Sequence, residues 1–219
     1  MRPCFCGKDE SAVVTFTRYA YHLLSMKKHL SVVLSLSFLL VSCGGSTTTA
    51  TCTRQYWDGL VGTCLPADWA VIEREALSER GISEDVVVAF KREKAVNGQF
   101  PTVTVTQEAL SAPVDPASYS AASVQSVSVL PGYNLIDQET LAIDGADITL
   151  HIFTAQPSQD EPERRFYQLS TTMANFGYSV TGLTPLSPSR DIENEVKQIM
   201  STVTFQAPLP EHGDTEEQQ

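Results

Sequence analysis

Basic side chains are scarce in this sequence. Fifteen Lys and Arg stand against 26 Asp and Glu in 219 residues, and residues 43–219 hold 10 basic and 24 acidic side chains, a net charge of −14. A surface this acidic repels phosphate backbones and anionic headgroups. We therefore expect no nucleic-acid partner and no electrostatic docking to membranes. Much of the excess lies in residues 207–219, which we predict to be an acidic disordered tail.

Motifs for catalysis and for cofactors are also sparse. Beyond residue 43 the only histidines are His151 and His212, and the second lies in the tail. The sequence has no Gly-x-Ser-x-Gly elbow and no Gly-rich phosphate loop. Asp144 and Asp147 lack the calcium-loop spacing and predict a hairpin turn instead. We expect no catalytic residue, no metal and no cofactor, with His151 structural. The alternative is a hydrolase whose Asp or Glu residues only the fold brings together.

The longest apolar run is too short to cross a bilayer. Residues 30–41 form a mostly apolar stretch behind Lys27 and Lys28. At about 1.5 Å per residue, a helix of this length does not span about 30 Å of hydrocarbon. The layout predicts a secretory signal peptide over residues 26–42. Residues 1–25 then precede the true start at Met26, because acidic Asp9 and Glu10 do not suit a signal peptide; a cytoplasmic extension is the alternative.

The apolar run ends at a cysteine, in the order Leu40, Val41, Ser42, Cys43. These four residues resemble the lipobox of bacterial lipoproteins. The resemblance implies a diacylglyceryl group on the Cys43 sulfur, cleavage before Cys43, and a lipid-anchored protein on the extracytoplasmic side of the cell membrane. Residues 44–51 would form a flexible tether behind the lipid. The alternatives are an ordinary signal peptide that ends by chance in a cysteine and a buried core segment.

Few cysteines remain after this assignment. Cys4 and Cys6 lie before the cleavage site and are absent from the mature protein, and Cys43 carries the lipid. Only Cys52 and Cys64 are then left. They flank an aromatic stretch with an Asp-Gly turn at 58–59, and a short hairpin there could bring them together. We predict a disulfide between them in an oxidising compartment. Two buried free thiols are the alternative.

The region 52–206 has the size of one domain and a pattern dominated by strands. Residues 86–90 form a continuous apolar run, and residues 102–106 alternate Thr and Val. Turn signals at 97–98, 144–145 and 175–177 each separate two such segments and predict hairpins. Two segments predict helices, one from Pro116 to about Val129 and one behind Ser187 and Pro188. The sequence therefore predicts an α+β fold, a largely antiparallel sheet flanked by helices.

The order of these segments resembles the PsbP-like family. The matching features are LPADW at 65–69, GQFP at 98–101, a helix with Tyr119, a long hairpin ending in RFYQL at 165–169, and a last helix closing with STVTF at 201–205. The family is an α/β/α sandwich shared by extrinsic photosystem II subunits, Ran-binding Mog proteins and many bacterial envelope lipoproteins. The resemblance covers most of residues 53–206. It implies the fold and a tendency to bind partners, and it implies no catalytic site.

Together these observations favour a non-catalytic, lipid-anchored envelope protein. Its domain would bind an envelope protein, a wall polymer or a small ligand. The candidate binding surface is formed by Tyr56, Trp57 and Trp69, near the predicted disulfide. The alternative is that these aromatic side chains belong to the hydrophobic core, where large aromatic residues are also common.

Overall fold

The computed structural model describes residues 52–156, 158 and 160–207. These residues form nine strands and three helices. The strands are β1 (Arg54–Trp57), β2 (Gly62–Leu65), β3 (Trp69–Glu73), β4 (Val86–Arg92), β5 (Thr102–Ala109), β6 (Asn134–Ile143), β7 (Ala146–Ala155), β8 (Arg164–Met173) and β9 (Phe176–Thr184). The helices are α1 (Arg74–Ser78), α2 (Pro116–Val127) and α3 (Arg190–Ser201).

Strands β3 to β9 form one seven-stranded sheet in the order β3-β4-β5-β9-β8-β7-β6, and every neighbouring pair is antiparallel. Strands β1 and β2 form a separate two-stranded hairpin. The predicted turns at 97–98 and 144–145 are confirmed. The turn predicted at 175–177 lies instead at Ala174 and Asn175, because Phe176 and Gly177 already belong to β9. Asn97, Gly98, Asp144 and Gly145 all have positive φ, which two-residue hairpin turns between antiparallel strands require.

The seven-stranded sheet has two ends, which are named here after residues that lie at them. At the Asn134 end, strands β3, β5, β6 and β8 begin, and β4, β7 and β9 finish. The opposite end, called the Asp144 end, carries the turns between β6 and β7 and between β8 and β9. Strand β1 runs from the Asn134 end towards the Asp144 end. Its first residue, Arg54, donates a hydrogen bond to the carbonyl of Trp69, at the Asn134 end. Its last residue, Trp57, is opposite Gly62, which pairs with Thr204 beside Asp144.

The apolar core lies between one face of the sheet and α3. Helix α3 buries Ile192, Val196, Ile199 and Met200 along one side, as its apolar spacing predicts. Gly182 in β9 lets the helix approach, since a Cβ there would come within 2.7 Å of Val196 Cγ1. The β1–β2 hairpin covers the same face and is joined to α3 by the Thr63 hydroxyl, which donates to the Ile199 carbonyl over 2.7 Å.

Helix α2 packs on the other face, against β7 and β8. Hydroxyl groups contribute to this contact, with Ser123 Oγ and Ser170 Oγ 2.7 Å apart. Tyr119 lies over Gly177, where a Cβ would meet its ring at 2.4 Å. Helices therefore cover both faces of an antiparallel sheet, and the predicted α+β class with its α/β/α layering is confirmed.

Element boundaries differ from the predictions in three places. Helix α3 begins at Arg190 with Ser189 as its N-cap, two residues beyond the predicted start at Ser187 and Pro188. Helix α2 ends at Val127, short of Val129. Strand β3 and helix α1 were not predicted, because each has five residues, too few and too mixed in polarity to show a clear period.

Candidate functional site

The predicted disulfide is present. Cys52 is joined to Cys64, with 5.4 Å between their Cα atoms. Cys64 lies in β2 and is buried against α3, where the Gln198 side-chain amide approaches its sulfur at 3.5 Å. The bridge thus ties the start of the described chain to the hairpin that covers the core.

The three aromatic residues of the candidate surface occupy different environments. Trp69 is 1% exposed and belongs to the core, so its assignment to a binding surface is wrong. Its indole N–H donates to Glu195 Oε2 over 2.9 Å, and Arg92 Nε donates to the same oxygen. Trp57 is half-buried over Gly62. Of the three, Tyr56 lines a cleft.

This cleft has a volume of about 610 Å³ and lies at the Asp144 end of the core face. It opens between the tip of the β1–β2 hairpin, the junction of β3 with α1, and the adjoining ends of β4 and β5. Four charged side chains line it: Asp58, Glu73, Arg74 and Glu75. The remaining lining residues are Tyr56, Leu60, Val87 and Gln107.

Asp58 organises the hairpin tip that forms one wall of the cleft. Its Oδ1 accepts the backbone N–H groups of Leu60 (2.8 Å) and Val61 (2.7 Å), which is typical of an Asp that stabilises a turn. Its Oδ2 accepts the Tyr56 hydroxyl over 3.0 Å. The Asp58 carboxylate is therefore held in place by three donors.

Tyr56 is fixed in the cleft wall from both sides. Its ring packs edge-on against Phe90, with 5.3 Å between the centroids. Burial raises the pKa of Tyr56 above its ordinary value, and the carboxylate of Asp58 raises it further. The phenol therefore stays protonated and donates a hydrogen bond at physiological pH.

The charge of the lining favours cations. Three carboxylates face one guanidinium, and no hydrogen bond or ion pair joins Arg74 to Glu73 or Glu75 among the contacts of the described residues. Gln107 donates to the Tyr178 hydroxyl over 2.9 Å, which orients its side chain at the wall of the cleft. Such a lining can accept hydrogen bonds from ammonium, guanidinium and hydroxyl groups.

The sequence did not single out Glu73, Arg74, Glu75 or Gln107. They lie at the ends of β3 and β5 and the start of α1, and none belongs to a motif. Asp58 was noted as part of a turn signal, which is its structural role here. Only the placement of the hairpin tip beside these strand ends brings the group together.

His151 occupies a closed position beneath α2 and away from the cleft. It is fully buried, and its Nε2 lies 2.9 Å from the Tyr133 hydroxyl. Its Nδ1 has no hydrogen-bond partner among the described residues. Burial lowers the pKa of His151 below its ordinary 6.5, so the neutral imidazole is favoured at pH 7.

Asp144 lies in the hairpin turn that the sequence predicted, and it also binds the segment that follows α3. Its carboxylate accepts the Thr204 hydroxyl and, over 2.8 Å, the backbone N–H of Phe205. Among the described residues, no group of three or more His, Cys, Asp and Glu side chains is placed to hold a metal ion. Likewise no helix in that part of the chain is both long and apolar enough to span a bilayer.

Several predictions fall on residues outside those that the structure describes. They are the signal peptide over 26–42, the lipidated Cys43, the tether over 44–51 and the acidic tail beyond residue 207. These remain predictions from the sequence.

Comparisons with known proteins find similarity in structure only. No protein-family model matches the chain, and no curated protein matches it in sequence. LpqN, involved in cell envelope biogenesis of Mycobacterium tuberculosis, is 14% identical with a TM-score of 0.49, covering 66% of this chain and 82% of that one. The cyanobacterial PsbP protein CyanoP from Synechocystis is 16% identical with a TM-score of 0.48, covering 76% and 99%. At these values no statement about activity or partners follows.

Proposed function

We propose that this protein is a lipid-anchored, non-catalytic envelope protein whose extracytoplasmic domain binds a positively charged ligand in the cleft. The observation that supports binding is the lining itself, in which Asp58, Glu73 and Glu75 face a single Arg74 around about 610 Å³ of open volume. Tyr56 adds an aromatic face and a fixed hydroxyl donor. A basic segment of a partner protein fits this chemistry best, because it brings several donors to several carboxylates at once.

The binding test compares oligolysine with an uncharged peptide of equal length. We expect measurable binding of oligolysine alone, and several-fold weaker binding after the double change Glu73→Gln and Glu75→Gln. The matched control is Glu161→Gln with Glu163→Gln, which removes the same charge from an exposed loop outside the cleft. Equal weakening by both pairs would show a general charge effect and would contradict a site in the cleft.

The proposal of a lipid anchor is based on residues 40–43, which resemble a lipobox. Two acyl chains are needed for stable membrane attachment, and the diacylglyceryl group of a lipoprotein provides them. We expect Cys43→Ala to abolish the mass shift of the acylated N-terminus and to release the protein from the membrane fraction. Recovery of the wild-type protein unmodified and cut at another bond would contradict the anchor.

A second candidate is an envelope hydrolase, because the fold brings three carboxylates to one cleft. Two observations favour binding over this alternative. Both oxygens of Asp58 already accept hydrogen bonds, and Glu73 and Glu75 are exposed, whereas a general acid usually needs a desolvated carboxyl. Release of soluble products from cell-wall polymers by the wild-type domain, lost in Glu73→Gln, would make the hydrolase the better assignment.

A further inference from the structure

Exposed apolar side chains are concentrated at one end of the domain. Among the described residues, eight large hydrophobic side chains are exposed. Five lie at the Asn134 end: Phe100, Val129, Leu135, Ile136 and Leu186. The other three lie at the Asp144 end: Ile82, Val114 and Phe176. Val129 is the most exposed of the eight, at 81%.

The strand register fixes these positions. Phe100 precedes the start of β5, and Leu186 follows the finish of β9, both at the Asn134 end. Leu135 and Ile136 belong to the start of β6, where the pairing with β7 is irregular. Val129 lies in the loop behind α2, whose Pro131 carbonyl accepts the N–H of Gln156 beyond the finish of β7.

The chain also enters the domain from this end. Strand β1 runs towards the Asp144 end, so its first residue, Arg54, lies on the Asn134 side of the hairpin, two residues after Cys52. The disulfide holds Cys52 to Cys64 and so fixes the point where the described chain begins. From Cys43 to Cys52 the chain reaches about 30 Å when fully extended. That is about the length of a ten-residue strand, so a lipid on Cys43 keeps the domain close to the bilayer.

We propose that the Asn134 end rests on the bilayer surface, so that the cleft at the Asp144 end faces away from the membrane. This inference depends on the lipid anchor of the proposed function. The apolar side chains are scattered over the ends of several strands, which suits shallow contact with a lipid surface. Once the lipid raises the local concentration of the domain, weak apolar contacts suffice to orient it.

The charge of the Asn134 end indicates which kind of lipid bilayer it can contact. Four carboxylates are exposed at the Asn134 end, where the exposed Lys94 follows β4: those of Glu93, Asp160, Glu161 and Glu163. These carboxylates would be repelled by anionic headgroups. The surface that fits is therefore a bilayer of phospholipids without net charge.

The test measures contact with lipid at both ends of the lipidated protein, which begins at Cys43, reconstituted into phosphatidylcholine vesicles. Single cysteines are introduced as Val129→Cys and Leu186→Cys at the Asn134 end, and as Val114→Cys and Ile82→Cys at the other. All four sites are exposed, and Val114 and Val129 flank the two ends of α2. With Cys43 acylated and Cys52 paired to Cys64, the new thiol alone takes a fluorescent label. Lipids brominated in their acyl chains then report proximity to the bilayer.

We expect several-fold stronger quenching at positions 129 and 186 than at positions 114 and 82. Equal quenching at the two ends, or stronger quenching at the Asp144 end, would overturn the proposed orientation. No quenching at any site on vesicles that carry the protein would mean that something other than lipid covers the Asn134 end, and would overturn it too. A chain that fails to float with vesicles would instead refute the anchor, and the orientation with it.

Discussion

Removal of the disulfide should destabilise the domain and disorganise the cleft. The bridge spans a sequence separation of 12 residues. In the chain-entropy model a loop of that length stabilises the folded state by about 3 kcal/mol. For a domain of this size, that corresponds to a fall in Tm of about 6–12 °C. The hairpin is the sensitive part, because β2 is the only strand of the described residues that pairs with β1, and an isolated two-stranded hairpin is marginally stable.

The two strands of the hairpin should respond differently. β2 keeps contacts with α3, since the Cys64 N–H and the Thr63 hydroxyl both reach the Thr202 hydroxyl at 3.0 Å. β1 carries Tyr56, whose position helps to form the cleft. Loosening of the hairpin should therefore weaken ligand binding beyond the effect on global stability.

The assay compares urea unfolding of the wild-type domain with that of the double variant Cys52→Ala, Cys64→Ala. The wild type in the presence of a reductant serves as a second comparison, because it breaks the bridge without changing the side chains. Oligolysine binding is measured on the same samples at a temperature where all are folded. A loss below about 1 kcal/mol in both comparisons, with binding unchanged, would refute the reasoning, since the chain-entropy model requires about three times as much.

Three further predictions concern the core and pH. Gly182→Ala should cost about 1–3 kcal/mol in urea unfolding by overpacking against Val196, and an unchanged midpoint would contradict the close approach of α3. Glu195→Gln should cost about 1–3 kcal/mol, because the Arg92 guanidinium loses its closest charged partner; a stability equal to wild type would show that this ion pair contributes nothing. The lowered pKa of His151 means that the unfolded chain binds its proton more readily, so stability should fall as pH drops below about 6.5. His151→Gln should flatten that fall and leave ligand binding at pH 7.5 intact.

The strands, turns and last helix could be predicted because their signals are local. A Thr-Val alternation over 102–106 has the period of a half-buried strand, and Asp144-Gly145 has the backbone freedom that a tight hairpin needs. The apolar positions of α3 recur with the helical period, so its buried side follows from the sequence even though its first turn does not. The Cys52–Cys64 bridge was predictable for the same reason, since a short hairpin lies between the two residues.

The burial of Trp69 and the composition of the cleft were decided by tertiary structure. Trp69 is buried on the face of the sheet on which α3 packs, and Glu195 on that helix accepts its indole N–H. Glu73 and Gln107 line the same cleft because β3, β4 and β5 are neighbours in the sheet, and their register places both residues towards its Asp144 end. The sequence by itself determined which segments form strands, turns and helices, because those preferences depend on near neighbours. It did not determine which side chains share a surface, because that depends on strand order and on which face each helix covers.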